Sequence, residues 1–398
     1  MKKITIIGTG TGIGTLTIEA REAINEAEVL IGSQSTLEQH QNSQKLTYRC
    51  YLPDDILNVI ETETAKYFVV LVSGDIGFYS AATKLGDALK KYELSYIPGV
   101  STVNTFFARL GLPWHDAVLT SMHGRKINIV DTVRRNRMTF CLAGNNVNEI
   151  GTALTKAGLG NIKTYIGENL GMPNERVYET DAENIAEGEF PSLTVLLFIN
   201  DEYNNSIRFG LPNDNFARLP GIPMTKSETR AIIISKLNLS PADICWDIGA
   251  GTGSVTVEMA LCAYQGHIYA VERKADAIEL IERNSASFHL GNITTVYGQA
   301  PGALEPLPAP DAVFIGGSGG NIENIISAIF YKNSNSRIVI TAITPETASS
   351  ALAELTKIGL EPEAVQLNVS RGKKAGSVHI MEAQNPVTII SAGGRSTQ

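Results

Sequence analysis

Metal-ligating and cross-linking residues are scarce in this chain: six histidines and four cysteines in 398 residues. Cys50, Cys141, Cys245 and Cys262 are scattered without a CxxC spacing. Neither a zinc cluster nor a disulfide framework is expected, and no metal is assigned. Long apolar runs are missing as well. The runs present are short, such as residues 68–72 and 195–199, and fall far short of the roughly 20 residues that span a bilayer, so no membrane partner is expected. There is no basic excess. The net charge is −8 and the pI about 5.4, which disfavours non-specific nucleic-acid binding. No aromatic–basic stripe offers stacking for bases, so no nucleic-acid partner is expected. The opening MKKITIIGTG runs straight into a strand and a glycine loop and does not read as a signal peptide, so the expected location is cytoplasmic.

What remains is ordinary globular material, 43% apolar and 19% charged, in a length that suits two or three domains. Short β-branched runs alternate with helical patterns, which is the signature of α/β architecture. In the first half, strands are expected at residues 4–7, 67–72 and 96–97, with helices at 15–28, 81–92 and 101–110. The pattern restarts near residue 113, with strands at 139–142, 164–166 and 193–199 and a helix at 148–157. Residues 1–200 are therefore read as one domain with lobes 1–113 and 114–200. Residues 201–220, rich in Asn, Gly and Pro without sustained period, read as a linker. Residues 221–398 form a second α/β domain. Its strands are expected at 243–248, 267–271, 293–297, 312–315, 338–342, 364–369 and 378–382.

The sharpest motif is Asp247, Ile248, Gly249, Ala250, Gly251, Thr252, Gly253, between a strand and a helix. Alternate glycines let the backbone turn tightly and approach a ligand, and the following helix presents free N–H groups to it. Glu272 ends the next strand, where an acid can accept the hydroxyls of a ribose. The spacing G-x-G-x-G behind an acid resembles class I S-adenosylmethionine methyltransferases rather than dinucleotide enzymes. Further motifs narrow this: Pro223, Met224, Thr225, Lys226 before the first helix; Gly298, Gln299, Ala300, Pro301 after the third strand; and residues 316–320, a run of four glycines broken by Ser318. Over residues 215–385 this set resembles the decarboxylating precorrin-6Y C15-methyltransferases of corrin biosynthesis. The resemblance implies a Rossmann-like class I fold and a methyl-donor pocket lined by Thr225, Gly249, Ala250, Gly251, Thr252, Gly253, Glu272 and Ala300. It places Gly316, Gly317, Ser318 and Gly319 against a bulky planar substrate. Gln299 stands where many relatives carry an acid; its amide can still hydrogen-bond adenine.

The first half also opens on glycines, Gly8, Gly10, Gly12 and Gly14, but no acid ends a second strand at the ribose distance. Its other motifs are residues 73–79 (SGDIGFY), 98–102 (PGVST) and 121–125 (SMHGR). Together they resemble the tetrapyrrole methylases (class III), specifically the C5-methylating type, over residues 2 to about 200. The resemblance implies two α/β lobes enclosing the donor. Gly74, Asp75, Gly77, Tyr79, Ser101, Thr102 and Met122 would contact it, and Gly8, Gly10, Gly12 and Arg125 would border the substrate. Ile76 replaces a proline usual in relatives, and residues 32–37 lack a common arginine.

Taken together, the resemblances imply a bifunctional enzyme that uses S-adenosyl-L-methionine to methylate a precorrin-type tetrapyrrole polycarboxylate at C5 and C15 and removes carbon dioxide from its C12 acetate. They also imply self-association into a homo-oligomer. Methyl transfer needs no nucleophile–base pair, because the sulfonium is already electrophilic and the reduced tetrapyrrole already electron-rich. No catalytic residue is assigned; proximity and orientation carry the chemistry. Cations for the substrate carboxylates are sought among Arg125, Lys126, Arg218, Arg230, Arg371, Lys373 and Lys374. Two alternatives stand beside this reading: methylation of another acceptor (RNA or protein), or one catalytic half with an inactive half that docks the intermediate.

Overall fold

The first half opens with Lys3–Gly8, whose β-branched residues alternate between two apolar clusters, Ile4 and Ile6 on one side and Ile7 on the other. A strand buried on both faces belongs inside a parallel sheet covered by helices. The computed structural model, which describes residues 2–38, 45–124, 127–206 and 209–394, places it there. Strands β1 (Lys3–Gly8), β2 (Val29–Gly32), β3 (Leu46–Arg49), β4 (Tyr67–Val72) and β5 (Glu93–Ile97) form a parallel sheet in the order β3-β2-β4-β1-β5. A second sheet in this half takes the order β6-β7-β10-β8-β9. Its strands are β6 (Val118–Ser121), β7 (Met138–Leu142), β8 (Lys163–Glu168), β9 (Arg176–Asp181) and β10 (Thr194–Ile199). Only the β6–β7 pairing is parallel.

The sequence reading of this half needs adjustment. The strands β2, β3, β6 and β9 escaped it, as did the helices Pro53–Thr62 and Ile129–Arg135. The helix expected at 15–28 is shorter, Ile18–Glu26, capped by the Thr17 hydroxyl. Glu28 is off that helix, and its carboxylate accepts the Lys66 and Tyr67 N–H groups at 3.0 Å.

The second half carries a seven-stranded sheet: β11 (Ile244–Ile248), β12 (His267–Glu272), β13 (Ile293–Tyr297), β14 (Ala312–Ile315), β15 (Arg337–Ala342), β16 (Glu363–Leu367) and a last strand, Val387–Ala392. The last strand lies between β15 and β16 and is antiparallel to both; the first five strands are mutually parallel in the order β13-β12-β11-β14-β15. Chain reversal at β11, between β12 and β14, is a topological switch point, where ligands of open α/β sheets bind. The strand expected at 378–382 exists but stands apart. As Val378–Ala383 it pairs only with Ser370–Ala375, in a separate hairpin.

The chain divides into two compact units. One comprises residues 1–126, 137–149 and 162–200, the other 127–136, 150–161 and 201–398. No helix among the described residues is long and apolar enough to cross a membrane.

Candidate functional site

In the second unit, the end of β11 meets the helix Ser254–Cys262 through three glycines that all take left-handed conformations, with φ of 76° at Gly249, 56° at Gly251 and 74° at Gly253. Other L residues rarely adopt this backbone. Space is also refused: a Cβ on Gly249 would sit 2.8 Å from the backbone of Gly317, and one on Gly251 would sit 2.8 Å from the Pro223 carbonyl.

Glu272, only 8% exposed, ends β12 and closes this loop. Its Oε2 accepts the Gly251 N–H at 3.0 Å; its Oε1 accepts those of Arg273 at 2.8 Å and Lys274 at 3.1 Å. A carboxylate offers about four acceptor positions. Three are taken, so the acid holds the loop in shape and keeps capacity for about one further hydrogen bond, where the sequence reading asked for two ribose hydroxyls. Glu272→Ala releases three backbone donors at once. Donor affinity of this unit is expected to fall at least tenfold, read by calorimetric titration of the full-length chain with S-adenosylmethionine. An unchanged titration would sink the assignment.

A cavity of about 200 Å³ opens beside the loop. Of the residues expected to face a donor or substrate here, Gly249, Gly251, Glu272, Ala300, Gly316, Gly317, Ser318 and Gly319 line it; Thr225, Ala250, Thr252 and Gly253 do not. Missed by the sequence reading were Ile222 on one wall and Arg273 and Lys274 beside Glu272; Pro223, quoted there only as part of a motif, forms the wall with Ile222. Gln299, noted for its departure from relatives, lines the cavity too.

Two buried polar atoms at the loop have no partner, Asp247 Oδ1 and Thr252 Oγ1. The other Asp247 oxygen accepts the Thr256 hydroxyl. Burial, partly opposed by that bond and reinforced by the Glu272 charge, pushes the Asp247 carboxyl up to about 7. In the unfolded chain it ionises near pH 4. Between about pH 4 and pH 7 the folded protein therefore holds a proton the unfolded chain has lost. The contribution of Asp247 to stability falls as pH rises through that window and is constant above it. Asp247→Asn is expected to melt progressively higher relative to wild type from pH 4.5 to pH 7. Parallel melting curves across that range would show that Asp247 is ionised throughout.

In the first unit, the loops after β1, β4 and β5 meet backbone to backbone. Gly10 and Gly74 exchange two N–H···O bonds of 3.0 Å. A Cβ on Gly8 would meet Gly74 O and Gly99 N at 2.7 Å. Asp75 ties the junction, accepting from Gly77 N at 2.8 Å and Gly99 N at 3.3 Å. Gly12 packs against Gly171, whose carbonyl a Cβ would approach to 2.3 Å. Tyr79, left-handed at φ 49°, donates its hydroxyl to the Leu119 carbonyl at 3.2 Å. Ser101 caps the helix Thr102–Leu110: its hydroxyl accepts the Asn104 N–H and donates to the Asn104 side chain. That hydroxyl is spent on the helix. Met122 is pinned through its backbone, by Leu142 O and the Asn146 amide. The sequence thus brings residues of the three loops together, but several of the polar groups named as ligand contacts serve the loops themselves.

The proposed cations fare less well. Arg230 is fully buried, its Nε 2.8 Å from Glu258 Oε1, and cannot greet a substrate carboxylate from the surface. Arg218 pairs with Asp214, Arg371 with Glu228, and Lys373 with Glu382. Arg125 and Lys126 lie outside the described residues. Among the described residues no group of three or more His, Cys, Asp or Glu is placed to hold a metal ion.

Residues 220–393 match the precorrin methyltransferase domain and residues 3–186 the tetrapyrrole (corrin/porphyrin) methylases. A probable cobalt-precorrin-6B C(15)-methyltransferase (decarboxylating) of Pyrobaculum calidifontis is 39% identical over 185 residues, 46% of this chain and 95% of the relative. A precorrin-6Y C(5,15)-methyltransferase (decarboxylating) of Sinorhizobium sp is 27% identical over 394 residues, 97% of this chain and 95% of the relative. Among solved structures, precorrin-6y C5,15-methyltransferase from Geobacter metallireducens GS-15 is 39% identical, covering 47% of this chain and 97% of its own, with a TM-score of 0.44.

Proposed function

The chain belongs to the precorrin methyltransferase family through its second half and carries a tetrapyrrole methylase domain before it, and from that premise we infer that it is a decarboxylating precorrin-6Y C5,15-methyltransferase of cobalamin biosynthesis. The observation that carries this reading is one chain holding both domains and aligning over 97% of its length with a relative of that name. The methyl donor is S-adenosylmethionine, whose sulfonium supplies an electrophilic methyl group. In the second unit Gly249, Gly251 and Glu272, which line the cavity, would hold it. In the first unit the close junction of Gly8, Gly10, Gly74 and Gly99 brings together the loops that would form a second donor site. The protein's part in either transfer is to align the donor with an electron-rich carbon and keep water out. Loss of carbon dioxide from an acetate leaves an electron pair that the conjugated macrocycle takes up by protonation.

The test is anaerobic incubation of the full-length protein with precorrin-6B, with and without cobalt, and S-adenosylmethionine, read by product mass. Two added methyl groups with one carbon dioxide lost supports the reading. One methyl with carbon dioxide lost means the first half docks without catalysing, and no change rejects the substrate class. We further propose that the protein works as a homo-oligomer. The hairpin Ser370–Ala375/Val378–Ala383 holds Val378, Ile380 and Met381 more than half exposed, a surface suited to a second copy. A monomer mass in light scattering would overturn it.

A further inference from the structure

Arg273 is a cation in the donor cavity with no assigned task. It follows Glu272 at the end of β12 and lines the cavity. Its backbone N–H donates to the Glu272 carboxylate at 2.8 Å, which fixes where the side chain starts. Among the described residues its guanidinium has no hydrogen-bond or ion-pair partner. The cavity's other basic residue is engaged, for Lys274 Nζ donates to the Gly221 carbonyl at 3.1 Å. The guanidinium reaches across to the glycine run after β14: a carbon added to Gly319 would lie 3.6 Å from Arg273 Nη1 and 3.6 Å from Gln299 Nε2. Two sets of N–H donors therefore converge on one point of the cavity mouth. The chain opposite them has no bulk, and Gly319 and Gly320 take φ of 58° and 87°.

We propose that Arg273, assisted by the Gln299 amide, binds a carboxylate of the tetrapyrrole substrate and so sets how the macrocycle lies against the second unit's donor pocket. The proposal deepens the functional reading above and rests on it. A guanidinium presents five donors in a fixed fork that matches a carboxylate, and an unpaired one beside a cavity is poised for such a partner. Gln299, read from the sequence as a partner for adenine, here adds a neutral donor from the neighbouring loop. The side-chain-free run of residues 316–320 lets a flat ring edge approach the two donors. The carboxylate held is one the substrate keeps. A salt bridge stabilises the anionic ground state and so opposes loss of carbon dioxide from the bound group. Arg273 is thus a specificity and positioning residue for the macrocycle.

The test uses the full-length protein with Arg273→Ala and Arg273→Lys. Donor affinity is titrated with S-adenosylmethionine, and KM and kcat for precorrin-6B are read from the decarboxylated product. The expected result is a tenfold to hundredfold rise in KM for Arg273→Ala, in the range of a lost charge-assisted hydrogen bond, with partial recovery for lysine and a donor titration within twofold of wild type. A weakened donor titration with unchanged KM would place Arg273 on the donor and overturn the proposal, as would no change in either. Uroporphyrin, an octacarboxylate that does not react, serves as a second probe by equilibrium binding. If wild type turns over no precorrin-6B, the functional reading fails, and uroporphyrin decides on Arg273 alone. Binding at least fivefold weaker in Arg273→Ala sustains the carboxylate site; equal binding, or none by wild type, overturns it.

Discussion

Glu258→Ala is expected to cost the second unit about 3–5 kcal/mol, the penalty for stranding one member of a buried ion pair. Arg230 and Glu258 are both inaccessible to solvent, with Nε and Oε1 2.8 Å apart. Each also holds a segment that the sequence reading treated mainly as a linker. Glu258 accepts the backbone N–H groups of Gly210 at 2.8 Å and Leu211 at 2.9 Å. Arg230 donates to the carbonyls of Leu211 and Thr225 and to the Asn213 side chain, and stacks 4.6 Å over Phe216. Asn284 adds a third anchor by bonding both the N–H and the carbonyl of Ala217. Residues 209–225 are therefore a strap bound to the second unit. The strap ends at the cavity beside the glycine loop, where Ile222 and Pro223 form one wall and the Pro223 carbonyl lies against Gly251. Loss of Glu258 should both lower the urea midpoint and weaken donor binding. Trp246, fully buried in this unit, reports the unfolding by its emission. Replacing the pair by two methionines removes the unpaired charge but leaves the strap's N–H and carbonyl groups unmet, so it should recover only part of the stability. A midpoint equal to wild type in Glu258→Ala would show that the pair anchors nothing.

That strap marks the limit of what periodicity can reveal. Its shape comes from three side chains, Glu258, Arg230 and Asn284, that reach its backbone across long stretches of sequence, and such anchors leave no repeating pattern. A signal was present all the same. Glu258 sits in SVTVEMALC and Arg230 in SETRAIIISKL, each a charge set among apolar neighbours. Unpaired charges are almost never fully buried, so two such helices in one domain imply each other's partner. Arg230 was instead read as a candidate contact for the substrate carboxylates. The glycine loop and Glu272 were legible because their chemistry is local: alternate left-handed residues demand glycine, and the acid ends the neighbouring parallel strand. The last strand, Val387–Ala392, was invisible for the opposite reason. It enters between two strands already laid down, and its antiparallel pairing with β15 and β16 depends on distant partners.

The first unit offers the clearest separation of the two activities. Gly99→Ala is expected to reduce C5 methylation at least a hundredfold while C15 methylation and decarboxylation continue. The backbone torsion of Gly99 is not left-handed, so conformational freedom is not the issue; proximity is. An added Cβ would lie 2.3 Å from Gly74 O, 2.5 Å from Gly8 O and 2.7 Å from Gly10 N. All three are backbone atoms, two at the end of β1 and its following loop and one on the loop after β4, and none can rotate aside as a side chain would. One methyl group therefore drives apart the ends of β1, β4 and β5, strains the paired Gly10–Gly74 bonds, and pulls Gly99 N from Asp75. Overpacking of this kind typically costs about 1–3 kcal/mol even where side chains can yield. Gly14→Ala is the matched control, because its added carbon meets nothing within 4 Å, and it should melt with wild type. With precorrin-6B and S-adenosylmethionine, Gly99→Ala should yield a product with one methyl gained and one carbon dioxide lost. A doubly methylated product at the normal rate would mean that the three-loop junction lies outside the first active site, and the donor would then have to be sought elsewhere in that unit.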